Sequence, residues 1–201
     1  MKTRTTKRKT RTKKRLPKKL ERNILGAGVL GTGASGCVVD SISCGKLSRE
    51  NGYVAKILNK NVDINIPLHN KLAEIDPKNE RFNRYYKDNN CETESIQNNA
   101  DIKACLQKGL QLNEHNIVFQ RYLVPLESKK MTKSQYRYLR ASLDILYKNK
   151  ILHNDLPDNV MIALDDNMPR IIDWDNATFI DNTSFDMIDY NAFLHHYKAV
   201  K

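Results

Sequence analysis

The stretch from Leu152 to Ile162 reads LHNDLPDNVMI, with one His, two Asp and two Asn within seven residues. It follows an amphipathic segment, MTKSQYRYLRASLDILYKNK, in which Thr132 and Gln135 predict a capping box and the apolar residues share one helical face. It leads into NVMIAL and RIIDW, two short apolar runs separated by the turn DDNMP that predict strands. A polar turn and a catalytic loop both fit this setting, and the rest of the chain must decide between them.

Upstream, residues 31–38 read GTGASGCV, a G-x-G-x-x-G-x-V string. Glycines in such a string let the backbone approach phosphate groups and present N–H groups to them. A Rossmann turn would lead into a helix, whereas CVVDSIS predicts a strand, so a glycine-rich hairpin over phosphates is the better interpretation. The candidate binding residues are Gly31, Thr32, Gly33, Ala34, Ser35, Gly36 and Val38.

Four polar residues could serve the chemistry of phosphates. Lys56 lies in the centre of the short apolar strand YVAKIL, where it is either a strand-edge Lys that reaches water or a phosphate-binding Lys. Asp155 and Asn159 lie in the opening stretch, and Asp173 ends the strand RIIDW. Each acid alone is most simply a turn or cap residue. Phosphoryl transfer, however, needs a carboxylate beside the attacking hydroxyl and oxygen ligands for Mg²⁺, which these residues together would supply.

In this order, the motifs resemble those of the protein-kinase superfamily over roughly residues 24–195. The resemblance implies an α+β, bilobal fold with a β-rich N-lobe over residues 23–125 and a truncated helical C-lobe over residues 126–201. It also implies ATP and Mg²⁺ as cofactors and a hydroxyl acceptor, on a protein rather than a small molecule. The segment IDP followed by Phe82 is similar to kinase-like proteins of large DNA viruses.

The resemblance also implies a role for each motif residue. Lys56 would contact the α- and β-phosphates, and Asp155 would be the catalytic base. Asn159 and Asp173 would be the Mg²⁺ ligands, and His153 would support the loop. Asp189, further along, either braces the catalytic loop from a later helix or is an exposed helix acid.

The chain departs from the family pattern in three places. Leu156 runs directly into Pro157, so the Lys that usually separates them is missing, and a nucleotide-binding pseudokinase that acts as a scaffold is one alternative. Residues 173–175 read DWD where protein kinases carry DFG, and small-molecule kinases of the aminoglycoside and choline type often have an aromatic residue followed by an acid here. The acidic partner of Lys56 is not evident, with Glu74 and Asp63 as the candidates.

The charge of the chain is concentrated at its N-terminus. Residues 1–22 hold 12 Lys or Arg and one Glu, so this segment has a net charge of +11. This value equals the formal net charge of all 201 residues. Such a segment cannot bury enough apolar surface to fold, which predicts a disordered tail. It would bind nucleic acid or an acidic partner, act as a nuclear-import signal, or merely keep the chain in solution.

Cysteine spacing and hydropathy bear on the compartment. Cys37, Cys44, Cys91 and Cys105 have no CxxC spacing, which predicts neither a zinc site nor a disulfide framework and favours a reducing, intracellular setting. The viral resemblance makes this the host cytoplasm or nucleus, or the virion. No run approaches the roughly 18–20 apolar residues of a membrane helix, so no membrane partner is expected.

Overall fold

A four-stranded antiparallel sheet dominates the computed structural model, which describes residues 28–87, 99–107, 109, 111–180 and 193–200. Its strands are hydrogen-bonded in chain order, and only Ala34 and Ser35 separate the first two. This confirms the predicted glycine-turned hairpin and the strand around YVAKIL. The strands are β1 (Val29–Gly33), β2 (Gly36–Val39), β3 (Tyr53–Asn59) and β4 (Leu112–Arg121).

Three α-helices lie wholly within the described residues: α1 (Ile66–Ile75), α2 (Ala100–Gln107) and α3 (Lys133–Lys148). Helix α3 begins at the predicted capping box, in which the Gln135 N–H donates to Thr132 Oγ1 at 3.2 Å and the Thr132 N–H donates to Gln135 Oε1 at 2.9 Å. Leu139, Leu143 and Leu146 are buried as predicted, but Tyr147 is 37% exposed. The buried face is therefore narrower than the sequence pattern indicated.

Shorter strands follow in three small groups. The segment NIVFQRYLVPLE, residues 116–127, predicts one strand that ends near Pro125. The structure instead has two strands here, the end of β4 and β5 (Leu123–Pro125). Strand β5 joins β8 (Val160–Ala163) and β9 (Pro169–Ile171) in an antiparallel sheet, which confirms the two strands predicted after the opening stretch. The remaining strands are β6 (Lys130–Thr132), β7 (Ile151–Leu152), β10 (Thr178–Phe179) and β11 (Lys198–Val200), with β7 paired to β10 and β6 to β11.

Within the described ranges, two clusters of buried apolar side chains hold these elements together. One lies between the main sheet and α2, and includes Ile57, Ile102 and Phe119. The other surrounds α3 and includes Leu68 and Leu72 of α1. An antiparallel sheet region with segregated helices confirms the α+β class.

A disulfide bond overturns one expectation from the sequence. Cys37 in β2 is bonded to Cys105 in α2, with both side chains fully buried and the Cα atoms 6.2 Å apart. The prediction that no disulfide would form is therefore wrong for this pair. The partners are 68 residues apart in the sequence, so only the packing of α2 on the sheet reveals their proximity.

Several expectations concern residues that the structure does not describe. Residues 83–101, NRYYKDNNCETESIQNNAD, are polar and Asn-rich, which predicts a surface insertion. The basic tail at 1–22, most of this Asn-rich segment (residues 88–98) and Asp189 lie outside the described residues. Within the described part of the chain, no helix combines the length and apolar character needed to cross a membrane.

Candidate functional site

A cleft of about 320 Å³ lies beneath the glycine-rich hairpin. This volume falls at the lower end of the range for small-molecule sites. Part of its lining is polar, from Lys56, Asn83, Gln120 and Asp173. The apolar part comes from Leu30, Val38, Val54, Leu123, Pro125, Met161 and Ile172.

The hairpin between β1 and β2 supplies six of the seven residues predicted to bind the nucleotide. Gly31, Thr32, Gly33, Ser35, Gly36 and Val38 line the cleft, whereas Ala34 does not and instead accepts a hydrogen bond from the Asn59 side chain through its carbonyl oxygen. A Cβ atom added at Gly31 or Gly33 would meet nothing within 4 Å. Packing within the chain therefore does not require glycine at these two positions, and the space above them is open to a ligand.

Gly36 is different, and this difference gives a first prediction. Its φ is +155°, and an added Cβ would clash with the Ile57 carbonyl oxygen in the neighbouring strand. We expect Gly36→Ala to lower the free energy of unfolding by about 1–3 kcal/mol because β2 and β3 must move apart. Urea unfolding measures this effect. Gly33→Ala is the matched control, and an equal loss of stability in both variants would contradict the prediction.

Lys56 lies in an interior strand, which excludes the strand-edge alternative. It is paired across the sheet with Val38 on one side and Val118 on the other, and it is only 4% exposed. Its Nζ donates to Asp173 Oδ1 at 2.6 Å, and to Asp175 Oδ2 at 2.5 Å. A buried ammonium group needs such partners, because burial without them would cost several kcal/mol.

Tyr85 completes the surroundings of the Lys56 ammonium group. Its hydroxyl accepts from Lys56 Nζ at 2.8 Å and lies 3.0 Å from Asp175 Oδ1 and 3.3 Å from Asp173 Oδ1. Burial and the two carboxylates raise the pKa of Tyr85 well above its ordinary value. The hydroxyl therefore stays protonated and donates a hydrogen bond to a carboxylate.

The two carboxylates beside Lys56 have different pKa values. Burial raises the pKa of Asp173 above its ordinary value, against the opposing charge of Lys56. Burial acts in the same direction on Asp175, but hydrogen bonds from its neighbours and the charge of Lys56 outweigh it and lower its pKa. Asp175 is therefore the more firmly ionised partner of Lys56.

The structure resolves which acid accompanies Lys56. Glu74 is exposed and pairs with Lys71 at 2.8 Å, one turn along the same helix. Asp63 is also exposed and makes no ion pair with any residue that the structure describes. Neither candidate from the sequence is the partner, because both side chains lie on the surface while Lys56 is buried.

The opening stretch forms a loop tied to the end of β9. Asn159 Nδ2 donates to Asp155 Oδ2 at 2.8 Å, and the Asn159 carbonyl oxygen accepts from the Ile172 N–H at 3.0 Å. His153 is buried against Trp174, and its Nε2 donates to the Ile172 carbonyl oxygen at 2.7 Å. Burial lowers the pKa of His153, so the ring is neutral with its proton on Nε2. The predicted supporting contact of His153 is thus present.

The predicted site residues form two pairs that Ile172 links. Lys56 and Asp173 line the cleft and contact each other, whereas Asp155 and Asn159 contact each other and do not line it. The backbone of Ile172 binds Asn159 on one side and precedes Asp173 on the other. Asp173 has a φ of 60°, a left-handed backbone conformation that is uncommon for residues other than glycine.

The residues at this point fit Mg²⁺, a cation that prefers oxygen ligands and keeps several waters. The Asn159 amide gives its N–H to Asp155, which leaves its oxygen for another partner. Asp173 keeps 32% of its side chain exposed toward the cleft. No group of three or more His, Cys, Asp or Glu side chains that could hold a metal occurs among the described residues, so a cation here would rely on these two ligands and on phosphate oxygens.

Asn83 and Tyr85 were not predicted, because they begin the Asn-rich segment that was expected to be a surface insertion. Asn83 is 2% exposed, and its side chain exchanges two hydrogen bonds with the Arg121 backbone at 3.0 and 3.1 Å. Its carbonyl oxygen accepts from Trp174 Nε1 at 3.2 Å. The expectation is therefore wrong for the first residues of the segment. The only sequence signal was the pair of Tyr residues within an otherwise polar run.

His69 of α1 gives a second prediction, on pH. It stacks on Tyr85 with ring centroids 4.7 Å apart, and burial lowers its pKa to about 4. An unfolded chain would protonate this ring near pH 6.5, so between these values the unfolded state binds more protons and stability rises with pH. Between about pH 4.5 and 7, the free energy of unfolding should rise by about 2 kcal/mol less in His69→Gln than in the wild type. Urea unfolding at several pH values measures this rise.

The exposed His195 provides the control for this measurement. His195→Gln should keep the full pH dependence of the wild-type chain. If His69→Gln also kept it, burial of the neutral His69 ring would not contribute to the stability profile.

Comparisons with known proteins add no family to this description. No protein-family model matches the chain, and no curated protein is similar to it at a significant level. A functional interpretation therefore has to rest on the motifs and on the geometry of the cleft.

Proposed function

We propose that this chain is an ATP- and Mg²⁺-dependent phosphotransferase with a minimal, bilobal protein-kinase-like fold. It would transfer the γ-phosphate of ATP to a hydroxyl group, with Ser or Thr of a protein as the leading acceptor. One observation carries the proposal. The Lys56 ammonium group lies 2.6 Å from the Asp173 carboxylate in a cleft beneath the glycine-rich hairpin.

The cleft residues suit the parts of ATP. Val38, Val54 and Met161 offer apolar surface to a flat base, while the open space at Gly31 and Gly33 would admit phosphates close to the backbone. The Lys56 ammonium group, which is ion-paired with Asp173 and Asp175, would also pair with the α- and β-phosphates. Positioning and electrostatic stabilisation of this kind supply most of the catalysis in phosphoryl transfer.

The loop residues suit the acceptor and the metal. Asp155 is exposed, and Asn159 fixes its carboxylate, so it could orient an incoming hydroxyl group and accept its proton. Asn159 and Asp173 would hold Mg²⁺, which when bound would neutralise charge on the phosphate oxygens. The hydrogen bonds of Asn159 and His153 to Ile172 keep the loop and Asp173 in one arrangement.

The two apolar clusters support the bilobal part of the proposal. The cleft is lined by residues of the main sheet and by Met161, Ile172 and Asp173, which belong to or follow the β5-β8-β9 sheet. A binding cleft between two separately packed regions is a common position for small ligands.

A nucleotide-binding pseudokinase is the second candidate, and one observation favours it. The loop lacks the Lys expected between Leu156 and Pro157, and Lys129, a cation that does reach this loop, pairs with Asp158 at 2.5 Å. Without a cation at the transferred phosphate, the rate would fall by orders of magnitude. Binding of Mg·ATP would remain, with no turnover.

Phosphate transfer from γ-labelled ATP tests the proposal. The purified chain would be incubated with Mg²⁺ and three acceptors: itself, a Ser/Thr-rich protein mixture, and aminoglycosides with choline. Labelled protein supports the leading proposal, and labelled small molecules would redirect it to the small-molecule kinases. Binding of Mg·ATP without transfer to any acceptor would favour the pseudokinase.

Residues 1–22 would bind a further partner of the chain. Their positive charge suits nucleic acid or an acidic protein, and either contact would weaken steeply with salt. We expect a chain that lacks these residues to lose salt-sensitive binding to duplex DNA or RNA in a filter-binding assay. Unchanged binding after the deletion would show that residues 1–22 do not bind nucleic acid.

A further inference from the structure

One ammonium group and two carboxylates meet at the base of the cleft, and the two carboxylates have different positions. Asp173 lines the cleft and keeps 32% of its side chain exposed. Asp175 does not line the cleft, and only 7% of its side chain is exposed. Lys56 contacts both at similar distances, 2.6 and 2.5 Å.

Asp175 is held on several sides. Lys56 donates to its Oδ2, and the Tyr85 hydroxyl lies 3.0 Å from its Oδ1, closer than to Asp173. Ser35, at the tip of the glycine-rich hairpin, helps to lower the pKa of the Asp175 carboxyl. Tyr85 is in turn fixed by its stacking on His69 of α1. The Asp175 carboxylate is therefore a rigid acceptor for Lys56.

The charges decide what this arrangement does. With Lys56 and Asp173 alone, the ammonium group would neutralise the carboxylate, and a cation would have to displace it. With Asp175 present, the cluster carries one surplus negative charge, and the more exposed carboxylate, Asp173, faces the cleft. Opposite charges a few ångströms apart in a partly buried site interact by several kcal/mol, so the surplus charge favours a cation there.

We propose that Asp175, assisted by Tyr85, is the positioning partner of Lys56 and thereby frees Asp173 for the metal. It takes the place that a helix acid would fill, since Glu74 is on the surface and paired with Lys71. When Asp173 turns to Mg²⁺, Lys56 stays anchored between Asp175 and Tyr85 with its ammonium group directed at the phosphates. This inference rests on the proposed function, because it assigns the metal and the phosphates to this cleft.

Calorimetric titration of ATP with and without Mg²⁺ tests the inference through binding. In Asp175→Asn, we expect the Mg²⁺ concentration needed for half-maximal ATP binding to rise by about 10-fold or more, the scale of losing a residue that orients a metal ligand. ATP affinity in EDTA should not fall, because the variant removes a negative charge near the phosphates. A merely structural role would weaken both. Asp175→Glu should restore part of the Mg²⁺ affinity.

Two further variants complete the test. Tyr85→Phe keeps the ring on His69 and should raise the required Mg²⁺ in the same direction as Asp175→Asn. Glu74→Gln, the control, should match the wild type. If Asp175→Asn does not fold, Tyr85→Phe decides, and wild-type Mg²⁺ dependence in that variant would overturn the inference.

The failure of each proposal has its own result. A wild-type chain that binds Mg·ATP, with Asp175→Asn behaving identically, would overturn the role of Asp175 and leave the proposed function intact. A wild-type chain that binds no ATP in either condition would overturn both.

Discussion

Asp155→Asn should lower the rate of γ-phosphate transfer by about 10²- to 10⁴-fold, the usual contribution of a general base. The affinity for Mg·ATP should stay within about twofold, because Asp155 does not line the cleft. The amide is isosteric and still offers an oxygen to Asn159, so the loop should keep its geometry. Single-turnover transfer and calorimetric binding measure the two quantities separately.

Asp158 provides a matched control in the same loop. It is an exposed acid whose side chain pairs with Lys129. Asp158→Asn should leave the transfer rate near that of the wild type. Equal transfer by wild type and Asp155→Asn would remove Asp155 from the chemistry, and equal losses in both variants would indicate a disturbed loop rather than a lost base.

Lys56→Met should lower the free energy of unfolding by about 3–5 kcal/mol, since it leaves buried carboxylates without their cation. Lys56 and Asp175 have side-chain exposures of only 5% and 7%, so water does little to replace the lost partner. Once the cation is gone, the pKa values of the carboxylates rise. The difference in the free energy of unfolding between wild type and variant should therefore shrink as the pH falls toward about 4, because protonation neutralises the carboxylates. Urea unfolding at several pH values measures both effects.

The double variant Lys56→Met/Asp175→Asn separates charge from packing. It removes one carboxylate together with the cation, so we expect it to be more stable than Lys56→Met alone. If the double variant were less stable than the single one, the buried charge would not be the cause of the loss. Removing Lys56 would then act through the packing of its alkyl chain.

Local sequence patterns predicted the elements that carry the site. The strand around Lys56, the glycine-turned hairpin and the capping box of α3 each depend on residues a few positions apart, and all three are confirmed. The contact between Lys56 and Asp173 spans 117 residues. It could be anticipated only through the family resemblance, because no local pattern encodes it.

The features that sequence reasoning missed depend on long-range packing. Tyr85 reaches Lys56 from a segment whose polar composition indicated a surface loop. Asp175 was noted only as an acid at the position where protein kinases carry glycine, and its contact with Lys56 was not predicted. The disulfide between Cys37 and Cys105 likewise joins elements that only the folded chain brings together. In each case, the residue type was visible, but its partner was not.

Calorimetric titration of the purified chain with Mg·ATP, with Asp173→Ala as the comparison, shows whether the cleft binds a nucleotide through a metal held by Asp173. We expect the wild type to bind ATP at one site per chain and to require Mg²⁺ for it. Asp173→Ala should lose the Mg²⁺ requirement together with most of the affinity. Absence of Mg·ATP binding by the folded wild-type chain, or equal Mg²⁺-dependent binding by both proteins, would contradict these expectations.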